Sequence, residues 1–102
     1  MTDHFNKLTP AEAERLAMLA EECGEVIQVV GKILRHGYES YHPDSPDVSN
    51  RDLLAKEVAD VTSIIDRMVF CSDMRTGQIE SHYCHGTGSN WSRKKRFTHH
   101  QQ

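Results

Sequence analysis

Two long stretches with helical periodicity, joined by a polar segment, restrict this chain to a helical fold. The first stretch opens with Thr9, which can cap a helix, Pro10, which suits the first helical position, and Glu12, which completes a capping box. We expect this helix to run to about His36, with Gly37 taking the left-handed conformation that ends many helices. The apolar residues of the stretch recur at helical spacing, and we expect them to form its buried stripe: Leu16, Leu19, Ala20, Cys23, Val26, Ile27, Val30, Ile33 and Leu34.

Residues 37–50 contain two prolines and several aspartates and serines, which is typical of a loop. The segment is long for a simple helix connection, which indicates a role beyond joining. Ser49 or Asn50 can cap a second helix, from about Arg51 to Cys71. Its apolar stripe comprises Leu53, Leu54, Val58, Val61, Ile64, Ile65, Met68 and Val69. Weaker patterns predict short helices at about 78–83 and 90–97, followed by a frayed end.

These patterns predict an all-α fold: a small bundle of two long antiparallel helices with one or two short C-terminal helices. We expect a single domain over residues 1–102, with a core at about 10–71 and a C-terminal short helix and basic tail at about 72–102. Only 37% of the residues are hydrophobic. Because a chain of this size buries a modest core, we expect oligomerisation to complete the bundle.

Composition also limits the partners and the compartment. The formal net charge is -3, which argues against a nucleic-acid partner, although Arg93 to Arg96 form one basic run. Three cysteines give an odd count without a disulfide framework, which favours a reduced intracellular setting. No stretch approaches the roughly 20 apolar residues that span a membrane, and the first residues lack a signal pattern. We therefore expect a cytoplasmic protein without a membrane partner.

Carboxylates are concentrated on both predicted long helices. A five-residue segment of the first helix contains Glu21, Glu22 and Glu25. The second helix contains Glu57 and Asp60, which are three residues apart. Spacings of three and four project from one side of a helix, where like charges repel.

On a helical wheel Glu57 falls inside the apolar stripe, where an unpaired carboxylate costs several kcal/mol if it is buried. On the first helix Glu22 falls on the flank of the apolar stripe, and Glu25 and Glu21 lie further round, so that the carboxylates border the core face. A shared divalent cation such as Mg²⁺, which prefers oxygen ligands, would reverse the repulsion. The alternative is that these charges lie on a solvated face.

The pattern Glu21-Glu22-x-x-Glu25, then a helix-loop-helix, then Glu57-x-x-Asp60 resembles the MazG-type branch of the all-α nucleoside triphosphate pyrophosphohydrolases, over roughly residues 12–70. The resemblance implies hydrolysis of an NTP or dNTP to the monophosphate and pyrophosphate, by attack of a metal-activated water on the α-phosphorus. It also implies homodimers or homotetramers.

By position, the same resemblance assigns metal binding to four residues and a place in the catalytic set to all five carboxylates. The implied ligands of Mg²⁺, for which Mn²⁺ can substitute, are Glu22, Glu25, Glu57 and Asp60. Glu21 would be a further ligand or would orient the attacking water.

Basic and aromatic residues are candidates for substrate binding. Lys32 projects to the side of Glu21 and Glu25, about two turns on, and could reach a β- or γ-phosphate. The basic run could close over the triphosphate through Lys94, Lys95 and Arg96. Trp91, and with it Tyr38 and Tyr41, could stack on a base. An alternative function is a non-catalytic module of MazG-like fold that binds a nucleotide or a protein, with the basic tail as its contact.

Overall fold

The structure is a computed structural model that describes residues 5–83. It contains three helices, α1 (Pro10–His36), α2 (Asn50–Phe70) and α3 (Thr76–Tyr83). Within residues 5–83 there is no β-strand, and a single antiparallel bridge joins Tyr41 to Ser49. The all-α prediction is confirmed. The short helix and the basic tail predicted beyond residue 83 lie outside the described residues.

The N-terminus of α1 forms the predicted capping box. The Thr9 side-chain oxygen accepts a hydrogen bond from the Glu12 backbone N–H at 3.1 Å, and Glu12 Oε1 accepts one from the Thr9 N–H at 2.8 Å. At the other end, Gly37 has the expected positive φ of 89°, but its ψ of 166° is extended. The chain therefore leaves α1 directly into the loop rather than through a left-handed turn.

The start of α2 separates the roles of the two candidate caps. Ser49 is the cap: its Oγ accepts from the Asp52 N–H at 3.1 Å, and Asp52 Oδ2 accepts from the Ser49 N–H at 3.2 Å. Asn50 is instead the first residue of the helix and is only 5% exposed. Its side-chain amide donates to the Gly37 carbonyl at 3.1 Å, which ties the start of α2 to the end of α1.

Backbone hydrogen bonds fold the loop back onto α2. The N–H groups of Asn50 and Arg51 donate to the carbonyls of Ser40 and Tyr38, both at 2.8 Å. The Arg51 side chain adds a 2.7 Å ion pair with Glu39 and places its guanidinium 4.3 Å from the centre of the Tyr38 ring. These contacts satisfy N–H groups that a helix N-terminus leaves free, and they hold α1 and α2 antiparallel.

The chain divides into two compact units, residues 1–68 and residues 69–102. The first contains α1, the loop and most of α2. In the second, the described part comprises the end of α2, a turn and α3. The turn passes through Ser72, which has a φ of 67° and donates its N–H to the Val69 carbonyl at 3.0 Å. The candidate site described below lies wholly in the first unit.

Burial on α2 follows the predicted stripe closely, whereas burial on α1 does not. Every predicted stripe residue of α2 is buried or half-buried except Val58. On α1 the most buried residue is Val29, at 6% exposure, which the predicted stripe omits. Ile27 and Leu34, both in that stripe, are 70% and 81% exposed. The face of α1 that packs on α2 is therefore rotated towards Val29.

This rotation has two consequences. Glu22, predicted on the flank of the stripe, and Glu25, predicted further round, are both half-buried on the packing face. Apolar side chains are left on the outside instead, where they line a shallow groove formed by Cys23, Val26, Ile27, Val58, Val61 and Thr62. Among residues 5–83, the helices are too short or too polar to cross a membrane.

Candidate metal centre

Four carboxylates from α1 and α2 meet in one place, which we call the acidic cluster. Each of the four offers one oxygen, and these oxygens lie within 4.8 Å of one another: Glu22, Glu25, Glu57 and Asp60. A spacing of three residues puts both members of each pair on one side of their helix. Because α1 and α2 pack antiparallel, the pair on α1 lies opposite the pair on α2. The four residues are those that the sequence predicts as metal ligands.

Glu57 is the innermost member of the acidic cluster. It is 8% exposed, and its Oε2 is buried without a hydrogen-bond partner among the described residues. The Oε2 of Glu22 is buried and lacks a partner in the same way. Buried polar atoms are nearly always hydrogen-bonded, and leaving one without a partner costs about 1–3 kcal/mol, more if it is charged. These two oxygens therefore indicate a missing positive group.

Lys56 supplies one positive charge, from the solvent side. Its Nζ lies 2.9 Å from Asp60 Oδ2 and 3.2 Å from Glu57 Oε1. Hydrogen bonds to Asp60 and then to Glu57, together with their negative charges, raise the pKa of Lys56 above its usual range. The side chain is 63% exposed. One exposed ammonium does not reach the inner oxygens of Glu22 and Glu57, which remain without a partner.

Repulsion within the acidic cluster raises the pKa of Glu25. A hydrogen bond with Glu57, followed by the negative charges of Glu57 and Glu22, raises the pKa of Glu25 to about 7. Partial burial and the charge of Glu21 act in the same direction. In the metal-free protein near neutral pH, Glu25 is therefore partly protonated, because four adjacent negative charges are unfavourable.

The donor set fits a hard divalent cation. All four donors are carboxylate oxygens, the ligands that Mg²⁺ and Mn²⁺ prefer, whereas Zn²⁺ sites usually draw on cysteine and histidine. Four side-chain oxygens would leave positions on Mg²⁺ for water and for phosphate oxygens. Acidic clusters on protein surfaces are common without a metal. The two buried oxygens without a partner distinguish this cluster from a solvated one.

The other predicted site residues lie elsewhere. Glu21 is exposed and outside the group of four, although its charge influences Glu25. Lys32 is exposed and lines a separate cavity. The ring of Tyr38 lies against Arg51, so that contact already occupies one of its faces. Lys94, Lys95, Arg96 and Trp91 lie outside the described residues.

The structure adds a feature that the sequence interpretation missed. A cavity of about 360 Å³, which we call the basic pocket, lies where α1, the loop and α2 meet. Its lining comprises Lys32, Arg35, His36, Ser40, Tyr41, His42, Pro43, Asn50 and Leu53. The sequence signal for it is the group of basic residues at 32, 35 and 36, which three- and four-residue spacing places at one end of α1.

Comparison of the chain with protein-family models, with curated proteins and with solved structures found no match to any of the three.

Proposed function

We propose that this chain is a cytoplasmic, Mg²⁺-dependent nucleoside triphosphate pyrophosphohydrolase. It would convert an NTP or dNTP into the monophosphate and pyrophosphate. The observation that carries the proposal is the buried Glu57 carboxylate, whose Oε2 has no partner among the described residues and lies in a four-carboxylate cluster shared by two helices. The likeness of both helical motifs to the MazG-type enzymes supports the choice of reaction.

Each carboxylate has a role in this proposal. Glu22, Glu25, Glu57 and Asp60 would hold the cation and fix where the α-phosphate can lie. Bound Mg²⁺ would neutralise phosphate charge and lower the pKa of a coordinated water. The water oxygen would bond to the α-phosphorus as the bond to the bridging oxygen breaks, and pyrophosphate would leave with the electron pair. Glu21, exposed beside the cluster, would accept the proton of the water.

A nucleotide panel tests the reaction directly. The full chain would be incubated with each standard NTP and dNTP in Mg²⁺, in Mn²⁺ and in EDTA, with the products separated by anion-exchange chromatography. We expect equimolar monophosphate and pyrophosphate in the presence of either metal and none in EDTA. Absence of product across the panel, from a sample shown to be folded, would contradict the proposal. Tight nucleotide binding without product would favour the non-catalytic module instead.

We further propose that the chain assembles as a homodimer or homotetramer. The support is the apolar face left outside α1, where Ile27 and Leu34 are mostly exposed. Contiguous exposed apolar surface of this kind marks interaction sites. Size-exclusion chromatography with light scattering should show an oligomer that Ile27→Asp dissociates. Gln28→Asp adds the same charge at the exposed neighbour and should leave it intact. A wild-type monomer at every concentration would contradict this assembly.

A further inference from the structure

The basic pocket is chemically the opposite of the acidic cluster. Four of its lining residues are basic, namely Lys32, Arg35, His36 and His42, and none of its lining residues is acidic. The chain as a whole has a formal net charge of -3. A cavity lined by basic residues of this kind, in a net acidic chain, favours an anionic ligand.

Three of the four basic side chains of the pocket have no competing partner in the described part of the chain. Lys32, Arg35 and His36 form no ion pair with any of residues 5–83. The Arg35 side chain folds back along α1. Its Nη1 atom lies 3.4 Å from the position that a Cβ atom on Gly31 would occupy. Helical side chains of this length point towards the N-terminus of their helix. The guanidinium is therefore directed back along α1, towards the level of the acidic cluster.

His42 contributes a donor whose direction the loop fixes. The Asp44 backbone N–H donates to His42 Nδ1 at 3.0 Å, and the Asp44 carboxylate lies 3.6 Å from the same nitrogen. Because Nδ1 accepts the hydrogen bond from the Asp44 N–H, Nε2 is the ring nitrogen that carries a proton and is free to donate outward. Asp44 itself does not line the pocket.

The pocket lies on the same side of the helix pair as the acidic cluster. Lys32 follows Glu25 by seven residues on α1, and Asn50 precedes Glu57 by seven on α2. Seven residues are two helical turns, so the two sites are separated by roughly 10 Å along the helices. A cation held by the carboxylates could bind one phosphate, and the basic side chains two turns away could bind the next phosphates of the same chain. The two sites together therefore suit a ligand with several linked phosphates.

We propose that the basic pocket is a polyphosphate subsite, which holds the β- and γ-phosphates while the α-phosphate lies at the acidic cluster. The assignment of individual phosphates rests on the proposed function, whereas binding of a polyphosphate by the pocket does not. Arg35 and His36 also lie in the last turn of α1, where positive charge favours the helix dipole. That structural role would affect stability and leave ligand binding unchanged.

Calorimetry with inorganic tripolyphosphate tests the subsite in isolation. Titrations of the full chain would be run in EDTA, so that no divalent cation contributes. We expect binding that is tighter than that of orthophosphate and that weakens at least about tenfold when Lys32→Ala and Arg35→Ala are combined, because two charge-assisted contacts are lost. The matched control combines Arg67→Ala with Arg75→Ala, which removes the same charge from two exposed positions. It should bind as the wild type does.

The proposal would be overturned by an absence of tripolyphosphate binding, or by equal weakening in the pocket and control variants. Binding of a nucleoside without phosphate, lost in Tyr41→Ala, would assign the pocket to a base and also overturn it.

Steady-state kinetics separates failure of the subsite from failure of the proposed function. If the chain hydrolyses an NTP and the pocket variant leaves KM unchanged, the subsite is wrong and the function stands. If no NTP is hydrolysed but tripolyphosphate binding depends on Lys32 and Arg35, the function is wrong and the subsite stands.

Discussion

The acidic cluster and the basic pocket occupy the same side of one helix pair but are built differently. The cluster is made entirely by helical residues, two from each helix, and its innermost oxygens are buried without a partner among the described residues. The pocket is made partly by the loop, and its cations are exposed. The cluster therefore depends on helix packing, whereas the pocket depends on how the loop returns to α2.

The two regions also differ in how strongly charge repulsion destabilises the metal-free protein. Like charges in the cluster are close enough to raise the pKa of Glu25 to about 7. The pocket cations are spread over a solvent-exposed surface, where repulsion is screened. The cluster should therefore be the more strongly coupled to stability, and the pocket the more tolerant of substitution. Substitutions in each region test that difference, beginning with the innermost carboxylate of the cluster.

Glu57→Gln should have the largest effect. The amide keeps the shape but removes one of the four ligands, so turnover should fall by more than about a hundredfold, the upper range for losing an outer-shell partner of a metal site. Stabilisation by Mg²⁺ should disappear, while removal of one repelling charge raises the melting temperature in EDTA. Thermal melts with and without Mg²⁺, together with the product assay, measure all three effects.

Glu14→Gln is the matched control, because Glu14 is an exposed carboxylate on α1. It should behave as the wild type does. Retained Mg²⁺ stabilisation in Glu57→Gln would show that Glu57 is not a ligand.

The pH dependence of stability should change sign with the metal. The pKa of Glu25 is about 7 in the folded metal-free protein, above its ordinary value of 4.5. The folded state thus holds a proton that the unfolded chain releases, so this contribution is complete below pH 4.5 and is lost as the pH rises through 7. With Mg²⁺, stabilisation should instead grow over the same range, because protons compete with the metal.

Denaturant titrations at pH 5 and pH 8, in EDTA and in Mg²⁺, measure this difference. Other groups also titrate in this range, so the readout is the difference between the wild type and Glu25→Gln. Parallel pH profiles for the two proteins in EDTA would contradict the raised pKa of Glu25.

Asn50→Ala should affect the basic pocket and the packing of the loop, and leave the acidic cluster unchanged. It removes the bond to the Gly37 carbonyl from a residue that is almost fully buried, at a cost of about 1–2 kcal/mol in the free energy of unfolding. Tripolyphosphate binding should weaken, because Asn50 lines the basic pocket, while the Mg²⁺-induced shift in melting temperature persists.

Gln28→Ala removes an exposed amide from α1 and serves as the control, with an expected change within about 0.5 kcal/mol. Loss of the Mg²⁺ response in Asn50→Ala would show that the cluster and the pocket are not independent.

Lys56→Gln should produce the smallest effect, which is a gain in affinity for Mg²⁺. Without the ammonium beside Asp60 and Glu57, Mg²⁺ should bind severalfold more tightly, because the exposed ammonium competes with the cation for these two carboxylates and its charge is screened by solvent. The metal-free protein should be slightly less stable. Isothermal titration with Mg²⁺ measures the affinity, and Arg67→Gln on the same helix controls for net charge. Weaker binding in Lys56→Gln would mean that Lys56 positions the ligands rather than competing with the metal.

The acidic cluster was predictable because it depends on local spacing. Capping signals at Thr9 and Ser49 and the three-residue intervals of Glu22–Glu25 and Glu57–Asp60 are properties of short segments. Glu57 is recognisable from the sequence because it is a carboxylate within the apolar stripe of α2. The helix bounds, the helical fold class and the composition of the cluster all follow from such local patterns.

The rotation of α1 and the basic pocket came only from the tertiary structure. A helical wheel gives the angle between Val29 and Ile27 but not which of them meets α2, because that depends on both surfaces at once. The pocket depends on contacts between the loop and α2, such as the bonds of Asn50 and Arg51 to Ser40 and Tyr38. Local sequence thus determined which carboxylates could meet, and long-range packing decided how deeply they are buried and which cations lie beside them.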